Sequence, residues 1–346
     1  MSETVLRTLI DKYGKLVEDR LRKYLTLDVA EEFREPVLYQ IATGGKRVRP
    51  LLTLAFAEAC GGNPEDALPE ACIVELIHEY SLIFDDIIDH SVVRRGKPTV
   101  WKRYGTSTAM LIGLWYREAI EEAVLDSHNP QLVGKIVSKT IKEIIEGERL
   151  DILLEAAGRD DPYIAEHRII NRLNIDKLEE LYFNMIRKKT AALIRTACML
   201  GALTVRRNIE DELVKAAAAY GEYVGIAFQL IDDLLDIYGK FEKFGKEIGK
   251  DLKEHKLGNA VVMYFIKLAS ENDRNAILSI LRKDTITQED IEKSIELFNK
   301  YNIREMVLSK ARDYITKAID ALRPFPNEST RKILEEFAKF IVEREY

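Results

Sequence analysis

Long apolar runs are missing from this chain of 346 residues. Its longest stretch without Asp, Glu, Lys or Arg, Tyr104 to Tyr116, has thirteen residues, short of the ~20 that cross a bilayer as a helix. No transmembrane segment is expected. The N-terminus mixes Glu3, Arg7, Asp11 and Lys12 instead of setting a basic stretch before an apolar one. It does not read as a signal peptide, and a cytoplasmic location is expected. A positive excess is also absent: 52 Lys and Arg stand against 58 Asp and Glu, a net charge of −6, which excludes a strongly basic nucleic-acid binder. Cysteine is scarce. Cys60, Cys72 and Cys198 are odd in number and lack CxxC spacing, which argues against a disulfide framework and against zinc. They are expected as small core residues. With 18 glycines and 9 prolines, the chain is no low-complexity or collagen-like sequence.

What is present is apolar surface in helical register. Hydrophobic residues make up 47% of the chain, enough for a large core. From Val5 to Leu25 they recur mostly at three- and four-residue steps, the pattern of an amphipathic helix. The pattern returns downstream between breaks at Thr43-Gly44-Gly45, Gly61 to Pro64, Gly96 to Pro98, Ser127 to Pro130, Gly158 to Pro162, Gly239 to Gly249 and Pro324 to Asn327. No run of alternating strands and no solenoid repeat interrupts it. These features predict an all-α fold, a single large helical bundle spanning residues 1–346 as one domain, since no linker is long or polar enough to divide it.

Two copies of one carboxylate pattern stand out: Asp85-Asp86-Ile87-Ile88-Asp89 and Asp232-Asp233-Leu234-Leu235-Asp236. On a helix, residues i and i+4 stack, so Asp85 lies near Asp89 and Asp232 near Asp236. Such like-charge pairs destabilise a helix, and the surrounding Leu and Ile imply burial, where unpaired carboxylates are costly. A cation is required. Hard carboxylate oxygens suit Mg²⁺, which takes one or two of them, keeps waters and completes its shell with phosphate oxygens. Basic residues suited to phosphate cluster nearby in sequence, in Gly44-Gly45-Lys46-Arg47-Val48-Arg49-Pro50 and in Arg94-Arg95-Gly96.

Together, GGKRVRP at 44–50, LIHEYSLIFDDIIDHSVVRRGKPTVW at 76–101, RKKTAALI at 187–194, GIAFQLIDDLLDIYG at 225–239 and GKEIGKDLKEHK at 245–256 resemble the ordered motifs of the trans-isoprenyl diphosphate synthases, or polyprenyl synthetases. The resemblance covers about residues 40–260. It implies an isoprenoid synthase-like bundle whose two aspartate motifs face each other across a deep apolar cavity. It further implies a prenyltransferase, Mg²⁺-dependent and homodimeric, that joins isopentenyl diphosphate to an allylic diphosphate by a trans 1′-4 condensation. On this reading Asp85, Asp89, Asp232 and Asp236 bind metal, supported by Asp233. Arg94, Lys189, Thr190, Gln229, Lys246 and Lys256 hold the allylic diphosphate, and Asp85, Asp89, Asp232, Lys189 and Arg94 carry catalysis. Lys46, Arg49, His78 and Arg95 hold isopentenyl diphosphate. The metals and cations stabilise negative charge on the departing diphosphate as an allylic cation forms, and an apolar cavity keeps water from that cation.

Product length follows from depth. Tyr80 lies five residues before Asp85, ~7.5 Å deeper along a helix, beside the small Ser81. An aromatic here resembles archaeal-type geranylgeranyl diphosphate synthases; farnesyl or longer products, or a weakly active regulatory subunit, are the alternatives. Some positions depart from the family pattern. Phe84 replaces a His, Gly113-Leu114 a Gly-Asp pair, Gly147-Glu148 a Gly-Gln pair, and Gly258 a Thr.

Overall fold

The computed structural model describes residues 2–239 and 249–343. It is all-α, as the periodicity predicts. In chain order the first helices are α1 (Ser2–Thr26), α2 (Glu31–Ala42), α3 (Val48–Ala59), α4 (Leu68–Ile88), α5 (Val100–Tyr104), α6 (Thr106–Leu125), α7 (Pro130–Leu153), α8 (Pro162–His167), α9 (Ile175–Ile186), α10 (Ala192–Arg206) and α11 (Glu212–Tyr238). Helices at Lys250–Lys253, Ala260–Leu268, Glu271–Leu281, Gln288–Lys300, Ile303–Ala321 and Glu328–Glu343 follow. Among the described residues the only strands are β1 (Val93–Arg94) and β2 (Lys97–Pro98), paired antiparallel. Turns fall at the glycine and proline breaks read from sequence, except that most of Gly239 to Gly249 lies outside the described residues.

The chain forms two compact units. One comprises Met1–Ile141, Leu193–Gly221 and Ala321–Phe337, the other Lys142–Ala192, Glu222–Asp320 and Ala338–Tyr346. The divisions fall inside helices such as α7 and α11. The first unit packs α4 against α1, α3 and α6. Its core holds Leu51, Leu52, Ile73, Leu76, Ile112 and Tyr116. There Phe56 meets Tyr220 at 5.1 Å and Phe325 at 5.3 Å between ring centroids. The Tyr116 hydroxyl donates to the Val37 carbonyl at 3.0 Å, giving a buried ring its polar partner. The second unit packs α9 against Ala260–Leu268, around Tyr182, Ile186, Val261 and Phe265. Cys60, Cys72 and Cys198 are buried free thiols, as expected.

Helix ends decide where the chemistry can sit. α4 stops at Asp89, whose N–H reaches the Asp85 carbonyl at 2.8 Å. His90 then reverses the chain with φ of 51°, and the Ser91 N–H caps the Asp86 carbonyl at 3.0 Å. α11 ends two residues after Asp236. Both aspartate clusters therefore occupy the C-terminal turns of helices, where carbonyl dipoles add to the negative potential. Carboxylates there need cations more than mid-helix carboxylates do.

Candidate active site

In the first unit, the three aspartates divide their labour. Asp86 is buried and chelated by Arg94, with Nε at 2.9 and 3.0 Å from its two oxygens and Nη2 at 2.8 Å from Oδ1. Burial opposes the Arg94 charge, but Asp86 raises its pKa above the ordinary value. Asp85 and Asp89, one helical turn apart, remain partly open to solvent. The middle aspartate thus anchors Arg94.

Arg94 and Arg95 are delivered by the β1–β2 hairpin. Arg95 and Gly96 form its two-residue turn with φ of 54° and 74°, the positive values that twist-matched hairpin turns require. Arg95 Nη1 donates to Glu79 Oε1 at 3.0 Å and to the Gly44 carbonyl. The hairpin is tied to the α2–α3 turn by Lys97 Nζ to the Ala42 carbonyl at 3.0 Å.

That turn separates the cations of GGKRVRP. Gly44 and Gly45 take φ of 97° and 142°, values open to glycine alone at little cost. Arg47 at φ 49° starts α3 and points inward. Its Nη1 contacts Glu75 at 2.9 Å and Glu79 at 2.7 Å, and its Nη2 the Ile41 carbonyl at 2.7 Å. Lys46 is exposed. Arg49 differs from both. Its Nε is buried without a hydrogen-bond partner among the described residues, and burial lowers its pKa below the ordinary value against the pull of Glu75 and Glu79. His78 lies in the same field. Burial first, then Arg49 and Arg95, hold its pKa well below the usual imidazole range, so it is neutral near pH 7. Arg49, with its buried Nε, the more exposed Arg95 and a neutral His78 form a donor set suited to an anion. Two residues further along α4, Tyr80 meets Phe84 edge-on at 5.1 Å. A Cβ on Gly113 would come within 2.4 Å of the Phe84 ring, so the glycine of α6 makes room for the aromatic that replaces the expected His.

In the second unit the predicted residues join one polar network. Between α9 and α10, residues Arg187–Ala191 form a single π turn, a bulge common at functional sites, which carries Lys189 and Thr190. Thr190 Oγ1 donates to Gln229 Oε1 at 2.6 Å, and Gln229 Nε2 to Asp233 Oδ1 at 2.8 Å. Asp233 also accepts from Tyr182 Oη and the Ala260 N–H, each at 2.7 Å. Asp236 accepts the Asp251 N–H at 3.0 Å. Burial, then the Asp251 carboxylate, raises Asp233 and Asp236 well above the ordinary range. Crowded carboxylates of this kind call for a cation. Asp232 is partly exposed, at the open side of the cluster.

Lys189 Nζ contacts Glu148 and Asp151, both at 2.6 Å. Lys256 Nζ lies 3.5 Å from Asp151 and 3.2 Å from Glu254. Burial alone would raise Asp151, but Lys189 and then Lys256 bring it below its ordinary value. Lys246 lies outside the described residues. Asp251, Glu148, Tyr182 and Asn259 were given no role from sequence, although Asp251 stands inside GKEIGKDLKEHK and Glu148 at a family departure. Asn259 Nδ2 donates to Asp251 Oδ2 at 2.8 Å and to the Asp233 carbonyl at 3.2 Å, which ties the two acids together.

Among the described residues no three acidic, His or Cys side chains close a metal cage. Each aspartate set is instead open, which fits a cation that finishes its shell with water and phosphate oxygens.

Residues 30–298 match the polyprenyl synthetase family. A short chain isoprenyl diphosphate synthase of Methanothermobacter thermautotrophicus is 33% identical over 341 residues, covering 98% of each chain. The solved geranylgeranyl pyrophosphate synthetase of Pyrococcus horikoshii superposes with a TM-score of 0.86 at 34% identity, covering 99% of both chains. A polyprenyl synthase from Caulobacter crescentus, solved with calcium and isoprenyl diphosphate, gives 0.84 at 28% identity over 99% of this chain and 98% of its own.

Proposed function

The chain belongs to the polyprenyl synthetase family, and from that premise we propose the reaction and the residues that serve it. It is a prenyltransferase that adds isopentenyl diphosphate to an allylic diphosphate. Asp85 and Asp89 in the first unit, and Asp232 and Asp236 in the second, hold divalent metal, which we take to be Mg²⁺; the calcium in the Caulobacter relative supports a hard divalent ion. When bound, the metal neutralises the diphosphate oxygens and eases their departure.

The protein's own groups do the rest. Arg94, anchored by Asp86, and Lys189, Thr190, Gln229, Lys246 and Lys256 bind the allylic diphosphate and stabilise the charge that grows on it as the C–O bond ionises. Lys46, Arg49, Arg95 and neutral His78 bind the diphosphate of isopentenyl diphosphate and hold its double bond near the allylic cation. A new C–C bond forms, and a proton leaves to the released diphosphate. The observation that carries the reading is Arg49: a buried guanidinium nitrogen without a hydrogen-bond partner among the described residues, beside a second arginine and a histidine kept neutral.

Tyr80 supports geranylgeranyl diphosphate as product, because an aromatic ring five residues before Asp85 on α4 would stop a chain growing in that direction. We further propose a homodimer in the cytoplasm, where both charged substrates are dissolved. Met110, Leu111 and Leu114, 49–59% exposed on one face of α6, are apolar surface that a second copy would cover. No described helix is long and apolar enough to cross a membrane.

The test is turnover of labelled isopentenyl diphosphate with dimethylallyl, geranyl or farnesyl diphosphate and Mg²⁺. Incorporation is expected, lost in EDTA and restored by Mg²⁺. Asp85→Asn and Asp232→Asn should each lower kcat by roughly 10²–10³-fold, the scale of losing one preorganised charge-stabilising group, with unchanged circular dichroism. Retained turnover in either variant would refute its metal role.

A further inference from the structure

α7 touches the π turn twice at consecutive positions. A Cβ on Gly147 would fall 2.3 Å from the Lys189 nitrogen and 2.7 Å from its Cα, so the two backbones meet there directly. The next residue, Glu148, places Oε2 2.6 Å from Lys189 Nζ. Asp151, one turn on, places Oδ2 at the same distance. Two of the three ammonium donors are thus directed at carboxylates, and one positive charge faces two negative ones.

The two acids are not equivalent. Asp151 also lies near Lys256, at 3.5 Å. Glu148 is buried to 8% exposure, and its second oxygen, Oε1, has no hydrogen-bond partner among the described residues. A buried carboxylate half satisfied in this way draws strongly on the cation that it does contact. An anion arriving at Lys189 must therefore share the ammonium with Glu148.

We propose that Glu148 is a positioning residue that fixes the Lys189 ammonium over the π turn and, by competing for it, weakens the hold on the allylic diphosphate. This rests on the assignment of Lys189 to that substrate. The competition serves turnover, since binding the ground state less tightly leaves more of the interaction to the transition state and to release of product.

The experiment is Glu148→Gln, which keeps the shape and an acceptor for Lys189 while removing the charge. The KM for the allylic diphosphate and the inhibition constant of inorganic diphosphate competing with it should both fall about two- to fivefold, the effect of one partly exposed ion pair. The KM for isopentenyl diphosphate should not move. Lys189→Met should raise the allylic KM and abolish the effect of Glu148→Gln in the double variant. An allylic KM unchanged or raised in Glu148→Gln, with Lys189→Met still impaired, overturns the role of Glu148 alone. An allylic KM unchanged in Lys189→Met removes the substrate assignment and the proposal with it. A purely structural role for Glu148 would lower the melting temperature and shift both KM values together, which also overturns the proposal.

Discussion

Within Asp85 to Asp89, spacing pairs the first and last aspartates, and the structure gives the middle one a different task, since Asp86 spends its lone pairs on Arg94. The same division separates the arginines of GGKRVRP. Arg47 pairs with Glu75 and Glu79, whereas Arg49 has a buried nitrogen with no hydrogen-bond partner among the described residues. Residue types and spacing bring both to the same turn. Which one points inward depends on the left-handed φ at Arg47, a backbone choice that composition does not encode. Tyr80 carries the residue-scale prediction. Its ring contacts Phe84 at 5.1 Å, so Tyr80→Ala opens space along α4 that Phe84, seated against Gly113, cannot refill without leaving its gap. Thin-layer chromatography of the dephosphorylated products should show longer chains than the parent enzyme makes. An unchanged distribution removes Tyr80 from chain-length control.

Among the elements, the helices were legible because a stripe of apolar residues at three- and four-residue steps has one low-energy solution. The π turn at Arg187–Ala191 was not. It adds one residue to a turn inside a continuous helical pattern, and the periodicity of α9 and α10 absorbs so small a shift. Nor was the hairpin at 93–98, whose strands have two residues each, too few to show alternation. Gly147 is where the π turn becomes testable. Gly147→Ala forces a Cβ into backbone atoms that cannot swing aside, and overpacking of this kind costs about 1–3 kcal/mol. The melting temperature should drop and the allylic KM should rise, because α7 must retreat from the turn that carries Lys189. A variant with native stability and native KM would show that the two segments are not held by this contact.

For the whole chain, sequence supplied the all-α class and the paired motifs, while the two compact units were hidden because their boundaries fall within helices and leave no polar linker to read. The six motif aspartates and most of the assigned cations lie on described elements, and the supporting acids Glu148 and Asp251 emerge only from three-dimensional neighbours. Assembly is tested on α6. A double change, Leu111→Asp with Leu114→Asp, should convert a dimer seen by analytical ultracentrifugation into a monomer while helicity persists. A wild-type chain that sediments as a monomer at micromolar concentration ends the dimer proposal. The hairpin bears on how the protein can vary. Surface loops ordinarily tolerate insertions, yet here the last residue of β1 and the first of the two-residue turn are sent to different acids, Arg94 to Asp86 and Arg95 to Glu79. One inserted or deleted residue would swap or strand these guanidinium groups, so this exposed loop should accept substitutions in its apolar positions but no change in length, an indel-intolerant site on an otherwise permissive surface.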